Sequence, residues 1–333
     1  IKPIWITKNK EIYNKLKSEN KEVYMSNSIT GINYMLKCGV CIFSVNESDI
    51  SNIRLFSGAK IVQLHHGMPL KKILNDDNIN IKNNKSFIRR VKEKVIKSYD
   101  YNLVTASSDF TRDILSSAFS IDKSKVIITG QARTTYILKN KDNEEIKLKL
   151  KKKLGVNIDG KILLYMPTFR RINKNKEKLI KFYNDIKNIL EERNMYIVLK
   201  KHREDRLNIK NSINNRIILL QDEDVLDSQD LLYIADVLIT DYSSVFVDFS
   251  ILEKPIIFAP IDLDDYINLE NGLYFSIVYN INELSYEISK LCLNNATKLN
   301  KGILDKYYKF NDGNDCERIK LEIEKMINRK DIK

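Results

Sequence analysis

The chain has 333 residues, of which 43% are hydrophobic, so it is long enough to fold into two globular domains. Four cysteines are too few for a disulfide framework, and no apolar run reaches the roughly 18 residues that span a bilayer, so disulfide-stapled and transmembrane classes are excluded. The formal net charge of +12 favours an anionic partner: a nucleic acid, a nucleotide or phosphate substrate, or an acidic membrane face.

Short apolar runs alternate with longer amphipathic segments from one end of the chain to the other. Apolar strands separated by helices predict parallel sheets that are covered on both faces. The predicted strands are 4–7, 39–45, 60–64, 101–107, 125–130, 161–167, 195–200, 216–220, 236–240 and 254–259. The predicted helices include 84–98, 108–118, 174–193 and 243–252.

The alternation is interrupted at the charged stretch 139–160, which lacks a strand. We interpret this stretch as the link between two doubly wound domains, and we predict domains at 1–145 and 146–315. The tail at 316–333 is predicted to be a helix that packs back on the first domain. Two Rossmann-like domains that face one another place a cleft between the carboxyl ends of their strands.

Polar residues that follow the strands are the candidates for ligand binding, since ligands of such sheets bind where the strands end. The strand that ends at Thr240 is followed by Ser243 and Ser244 and then by a helix. Hydroxyls beside the unpaired backbone N–H groups of a helix start predict a phosphate-binding site. The alternative is that the serines only cap the helix. Asp248 is four residues after Ser244, so both side chains can reach one ligand.

Cations and a hydroxyl follow two further strands of the second half. Thr168 and Arg170 come after the strand at 161–167, and Lys200 and His202 come at the end of the next one. A lone basic residue in a loop is usually only solvated. Cations follow two neighbouring strands in the same half of the chain as the predicted phosphate-binding site, and this combination suits a diphosphate ligand.

Two of the three histidines lie in "KIVQLHHGMPLKK" (60–72), where they can be core residues, metal ligands or a catalytic base. Adjacent His65 and His66 on an extended strand point to opposite sides, so they are not expected to share a metal ion.

"CGVC" (38–41) is interpreted as structural cysteine in a strand. No cofactor is evident: a divalent cation is compatible with the chain, but no ligand set, Walker loop or dinucleotide-binding loop is recognisable.

Four stretches in chain order, "LHHGMPLKK", "YMPTFR", "LKKHR" and "LITDYSSVFVDFSILEKPIIF", resemble the CDP-glycerol glycerophosphotransferases, the polyol-phosphate polymerases and primases of teichoic acid and capsule synthesis. The resemblance runs from about Trp5 to Phe275. It implies a GT-B fold, which is α/β with two facing Rossmann-like domains, parallel sheets and a cleft between them. It also implies transfer of a polyol phosphate, glycerol phosphate first of all, from a CDP-activated donor to a polymer hydroxyl, with release of CMP.

The resemblance assigns roles to single residues. His66 occupies the position of the base in the His-Gly-x-Pro motif, which leaves a packing role for His65. His202 is the second catalytic histidine, near the donor phosphates. The implied donor-binding residues are Thr168, Arg170, Lys200, Thr240, Ser243, Ser244 and Asp248, the last of them facing the ribose. The residues implied on the acceptor side are Gly67, Lys71 and Arg133.

The expected partners are CDP-glycerol or a related CDP-polyol, a lipid-linked or polymeric glycan acceptor, and an anionic membrane surface, but no nucleic acid. Segment 81–101 mixes basic and apolar residues at helical spacing, which fits either a domain helix with a solvated face or a helix on an anionic bilayer.

No export signal is recognisable, so we expect a cytoplasmic protein, peripheral on the inner face of the membrane. A GT-B enzyme that uses a nucleotide sugar, and a polyanion-binding protein, are the alternatives.

Overall fold

The structure is a computed structural model, and it describes residues 1–45, 50, 53–69, 73, 76, 101–166, 188–200, 215–220, 227–240, 243–259 and 301–328. The chain divides into two compact units. Unit 1 comprises Ile1–Ala132 and Asp315–Lys333, and unit 2 comprises Arg133–Asn314.

Unit 1 begins with a parallel pair of short strands and continues with a parallel sheet in the order β3-β4-β5-β6. Its elements up to the last strand are β1 (Trp5–Thr7), α1 (Lys10–Ser18), β2 (Val23–Met25), α2 (Ile29–Lys37), β3 (Val40–Phe43), β4 (Lys60–Gln63), β5 (Leu103–Ala106), α3 (Asp109–Phe119) and β6 (Val126–Ile128). β2 was not predicted, because three residues flanked by polar neighbours carry no usable strand pattern.

Polar side chains define where the helices of unit 1 begin. Asn9 accepts hydrogen bonds from the backbone at the start of α1, and Ser28 does the same for α2. At α3, Ser108 and Thr111 cap each other's backbone N–H groups reciprocally. These contacts satisfy N–H groups that a helix leaves unpaired in its first turn, so the starts of the helices are encoded locally.

Unit 2 contains a parallel sheet in the order β11-β10-β7-β8-β9. β7 is the central strand; β8 and β9 follow on one side of it, and β10 and β11 then lie on its other side. The described elements of unit 2 are α4 (Ala132–Asn140), α5 (Glu144–Leu154), β7 (Lys161–Tyr165), β8 (Met195–Lys200), β9 (Ile217–Leu220), α6 (Ser228–Ile234), β10 (Val237–Thr240), α7 (Val245–Ser250), β11 (Ile256–Phe258) and α8 (Lys301–Tyr307).

The boundary between the units lies between Ala132 and Arg133, at the start of α4, rather than at the predicted residue 145. Contacts with α6 explain the difference. The Tyr136 hydroxyl of α4 donates to Asp230 at 2.7 Å, and the Tyr233 hydroxyl donates to the Asn143 carbonyl. The charged stretch is therefore packed within unit 2 rather than being a bare link.

The last helix, α9 (Asp315–Asn328), belongs to unit 1. Ile319 and Ile323 of this helix are buried against Val62 of β4 and Leu103 of β5. On the other face of the sheet, a larger hydrophobic cluster includes the buried residues Phe43 and Leu115. Burying apolar area is the dominant favourable term in folding, so these clusters hold the sheet that carries the two histidines.

Candidate functional site

The two adjacent histidines follow β4 in unit 1. β4 ends at Gln63, and His65 adopts a left-handed backbone conformation with φ of 58°. His65 is buried, whereas His66 is exposed. Their rings stack with centroids 4.9 Å apart and an angle of 29° between the planes. The expectation that the two rings point to opposite sides is therefore wrong, because the strand has already ended and the backbone turns at His65.

Across the described residues there is no group of three His, Cys, Asp or Glu side chains that could hold a metal ion. Cys41 lies in β3 and is buried, and burial raises the pKa of its thiol to about 12. A thiol with so high a pKa stays protonated near neutrality, which suits a packing role rather than metal binding.

In unit 2, the sheet order reverses between β7 and β10, which lie side by side in the middle of the sheet. In an open parallel sheet, the point where the strand order reverses leaves a crevice at the carboxyl ends of the strands, and ligands bind there. The sequence that follows β10 contains Ser243 and Ser244, and Lys200 ends β8, which pairs with β7 on its other side. Of the predicted donor residues that the structure describes, Lys200, Ser243 and Ser244 therefore lie at or just beyond the carboxyl ends of strands.

Thr240 has a structural contact rather than a free hydroxyl. Its side chain is fully buried, and its Oγ1 donates to the carbonyl of Met166 at 2.7 Å. This hydrogen bond ties the end of β10 to the residue that follows β7. This bond uses the one proton of the hydroxyl, and the predicted contact of Thr240 with a donor stays a prediction.

The two serines before α7 differ in their contacts. Ser243 Oγ accepts from the N–H of Val245 at 3.4 Å, which is a long capping contact. Ser244 precedes the helix directly and makes no capping hydrogen bond with its side chain. Capping, the simpler explanation for the serine pair, therefore fits Ser243 but not Ser244.

Asp248, on α7, accepts two hydrogen bonds from Arg133 and one from Tyr308. Arg133 Nε donates to Oδ2 at 2.8 Å and Nη2 donates to Oδ1 at 3.0 Å. The Tyr308 hydroxyl donates to Oδ1 at 3.1 Å. Burial lowers the pKa of Arg133, but the charge of Asp248, the hydrogen bonds to its carboxylate and the charge interaction with Tyr308 together outweigh this and raise the pKa above its ordinary value. Asp248 thus lies in a buried ion pair, and its predicted ribose contact stays a prediction. Arg133, predicted on the acceptor side, lies in unit 2.

Several predicted positions lie outside the described residues. They are Lys71, Thr168, Arg170, His202 and the basic segment at 81–100. Gly67 is described and lies in the turn after the two histidines, half-buried. Within the part of the chain that the structure describes, every helix is too short or too polar to cross a bilayer.

Sequence reasoning missed the polar residues that support the histidine turn. Gln63 and Thr105 are fully buried at the ends of β4 and β5, and both contact the backbone of the turn. A polar residue inside an otherwise apolar strand was the available signal, because a buried polar group needs a hydrogen-bond partner.

The chain is similar to known proteins over most of its length. Residues 1–325 match the family described as "CDP-Glycerol:Poly(glycerophosphate) glycerophosphotransferase". The chain is 33% identical to the teichoic acid glycerol-phosphate primase of Bacillus subtilis (strain 168) over 280 residues, which cover 80% of this chain and 68% of the primase. It is 35% identical to the teichoic acid poly(glycerol phosphate) polymerase of Bacillus spizizenii over 224 residues, which cover 64% of this chain and 55% of the polymerase. The chain thus spans little more than half the length of that polymerase.

A solved structure of the wall teichoic acid polymerase TagF superposes with a TM-score of 0.74 at 20% sequence identity, covering 98% of this chain and 89% of the other. The predicted fold class, α/β of the GT-B type with parallel sheets, is confirmed by this likeness and by the two parallel sheets. The chain belongs to the CDP-glycerol:poly(glycerophosphate) glycerophosphotransferase family.

Proposed function

We propose that this protein transfers glycerol phosphate from CDP-glycerol to a hydroxyl group of a teichoic-acid-like or capsular polymer and releases CMP. The observation that carries the proposal is the match of residues 1–325 to the family. A TagF structure soaked with CDPG, with a TM-score of 0.76, supports the choice of donor.

The proposed reaction is a displacement at phosphorus. An acceptor hydroxyl attacks the phosphorus that carries the glycerol, so a new P–O bond forms. The bond from that phosphorus to the bridging oxygen of the diphosphate breaks, and CMP leaves with the electron pair. The hydroxyl loses its proton to a base as the bond forms. Two features are therefore needed: a base at the acceptor and cations or hydrogen-bond donors at the diphosphate.

His66 is the proposed base. Imidazole is the side chain whose ordinary pKa lies nearest to neutrality, which favours proton transfer in either direction. The exposure of His66, next to a buried His65, leaves its ring accessible to a substrate. Gly67, which directly follows it, allows the acceptor to approach the backbone closely, and Lys71 is proposed on the same acceptor side.

The donor diphosphate is proposed to bind at the carboxyl ends of β7, β8 and β10. Ser244 supports this placement, because its hydroxyl does not cap α7. Lys200 supplies a cation at the end of β8. The other proposed donor contacts are Ser243, Thr168, Arg170 and His202.

The acceptor is proposed to be a lipid-linked or polymeric glycan, reached by a protein that is peripheral on the cytoplasmic face of the membrane. Segment 81–101 supports this, since it combines basic and apolar residues at helical spacing. Flotation with anionic liposomes at low and high salt tests the membrane role. Wild type is compared with a variant in which Ser replaces Lys85, Arg89, Arg90 and Lys92. Equal flotation of both proteins, or no binding at low salt, contradicts the membrane role.

The substrate class is tested by incubating the protein with an acceptor polymer and, in turn, CDP-glycerol, CDP-ribitol and UDP-sugars. CMP release from CDP-glycerol above the other donors supports the proposal. Release of UDP with no release of CMP identifies a glycosyltransferase instead, and no release from any donor contradicts both activities.

A further inference from the structure

The backbone directly before His66 is held in an uncommon conformation. His65 has a φ of 58°, in the left-handed region that residues other than glycine seldom adopt. Such a residue persists only where its surroundings hold it in place. The contacts that hold His65 therefore also determine where the next ring, that of His66, lies.

Gln63, at the end of β4, provides two of these contacts. Its Oε1 accepts from the N–H of His65 at 2.9 Å, and its Nε2 donates to the carbonyl of Val45 at 2.9 Å. Because a carbonyl can only accept, the second bond decides which end of the amide faces His65. The Gln63 side chain thus ties the turn to the segment that follows β3.

Thr105, on the neighbouring strand β5, holds the peptide before His65. Its Oγ1 donates to the carbonyl of Leu64 at 3.0 Å. The N–H of Leu64 donates to the carbonyl of Phe43 at 2.9 Å. The backbone of Leu64 is therefore bonded on both of its polar groups, which holds the peptide that leads into His65.

The His65 ring completes the support. Its Nδ1 donates to the carbonyl of Gly67, and this is the shorter of its two contacts with Gly67. The ring also meets Phe119 edge-on, with centroids 6.1 Å apart. A ring held at its edge and through Nδ1 offers a fixed face, and the His66 ring stacks on that face.

We propose that Gln63, Thr105 and His65 are positioning residues that orient the imidazole of His66 toward the acceptor hydroxyl. The inference rests on the proposed function, in which His66 is the base. None of the three needs to touch a substrate: Gln63 and Thr105 are fully buried, and His65 acts through its backbone and its ring face. Misplacement of a catalytic group by about 1 Å can cost about a hundredfold in rate, so this support matters for turnover.

The test uses three variants of the full chain. Thr105→Val keeps the shape of the side chain and removes its hydroxyl, Thr105→Ser restores the hydroxyl, and His65→Asn tolerates the left-handed backbone while removing the ring. Two quantities are measured: kcat and KM for CDP-glycerol by CMP release, and the imidazole resonances of His66 by NMR. The chain has three histidines, so these resonances can be assigned by replacing each in turn.

We expect Thr105→Val and His65→Asn to shift the His66 resonances and to lower kcat by about tenfold or more, with KM for CDP-glycerol within about twofold. Thr105→Ser should restore both quantities. Unmoved His66 resonances in Thr105→Val and His65→Asn overturn the inference, even if kcat falls, because damage elsewhere then explains the loss. If Thr105→Val does not fold, His65→Asn decides by the same readouts.

A separate measurement, the turnover of His66→Asn, shows whether the proposed function of His66 is wrong. If His66→Asn turns over like wild type, then His66 is not the base. In that case the NMR readout still decides whether the three residues orient the ring: shifted resonances support the orientation, and unmoved ones contradict it.

Discussion

Arg133 and Asp248 are 115 positions apart in the chain and form a two-point ion pair inside unit 2. Their side chains are 17% and 11% exposed, so the pair is largely removed from water. The Tyr308 hydroxyl donates to the same carboxylate. Three separate segments, the start of α4, the middle of α7 and the residue that follows α8, are thereby joined at one carboxyl group.

Arg133→Met should destabilise unit 2 strongly, because it leaves the Asp248 carboxylate buried without its cation. Removing one partner of a buried pair costs about 3–5 kcal/mol. Urea unfolding followed by a unit 2 signal measures the loss. The matched control is Lys147→Met, whose partner Glu144 is 72% exposed and whose loss should cost less than about 1 kcal/mol. Equal effects of the two substitutions would show that the buried pair contributes no more than a surface pair.

Gly130→Ala should disrupt the attachment of α9 to unit 1. Gly130 has a φ of 85°, and an added Cβ would lie 2.0 Å from a carboxylate oxygen of the buried Asp315. Gly58→Ala is the control, since Gly58 has a φ of 88° and nothing within 4 Å of an added Cβ. Both variants bear the left-handed strain of about 1–2 kcal/mol, and Gly130→Ala should lose a further 1–3 kcal/mol or so from the clash. Thermal unfolding that shows equal losses would contradict the close approach.

Lys254 should make stability depend on pH in the alkaline range. Burial lowers the pKa of its ammonium group to about 8, against the opposing effect of Asp236. Between pH 8 and the ordinary lysine pKa near 10.4, the folded chain therefore binds fewer protons than the unfolded chain, so the free energy of unfolding rises with pH.

The measurement is the free energy of unfolding of wild type minus that of Lys254→Met, at pH 8 and pH 10. The lost bonds to the carbonyls of Tyr233 and Ala235 lower the stability of the variant at both pH values. The difference should shift in favour of wild type from pH 8 to pH 10. A difference that stays constant means that the pKa of Lys254 is not lowered.

The two serines before α7 should respond differently to substitution. Ser244→Ala should weaken CDP-glycerol binding by about tenfold or more, corresponding to the loss of one hydrogen bond to a charged group, with little change in stability. Ser243→Ala removes the capping contact with Val245 as well, so it should also lower the free energy of unfolding by about 1 kcal/mol. Calorimetric titration with CDP-glycerol and urea unfolding separate the two effects. Unchanged donor affinity in Ser244→Ala would count against a diphosphate at this turn.

Local patterns in the sequence predicted much of the fold and part of the candidate site. β8 lies where the apolar run at 195–200 placed it, and α3 begins beside Ser108 as capping chemistry requires. Such features depend on neighbouring residues in the chain. The Arg133–Asp248 pair and the Thr240 contact with Met166 join distant residues, and spacing along a sequence carries no information about them.

The stacked histidines show a second limit of pattern reasoning. The period of a strand puts adjacent side chains on opposite faces, and this holds only while the strand continues. Here a left-handed residue ends that period at His65. Contacts from β5 and from the segment after β3 hold the turn, so its geometry depends on tertiary structure.

The most direct test of the central claim is the turnover of His66→Ala, measured as CMP release from CDP-glycerol with an acceptor polymer present. Because His66 is exposed, the substitution should leave the unfolding midpoint and the affinity for CDP-glycerol close to those of wild type. Loss of a general base should lower kcat by about 10²–10⁴-fold. A variant that folds, binds the donor and releases CMP at the rate of wild type would contradict the assignment of His66 as the base.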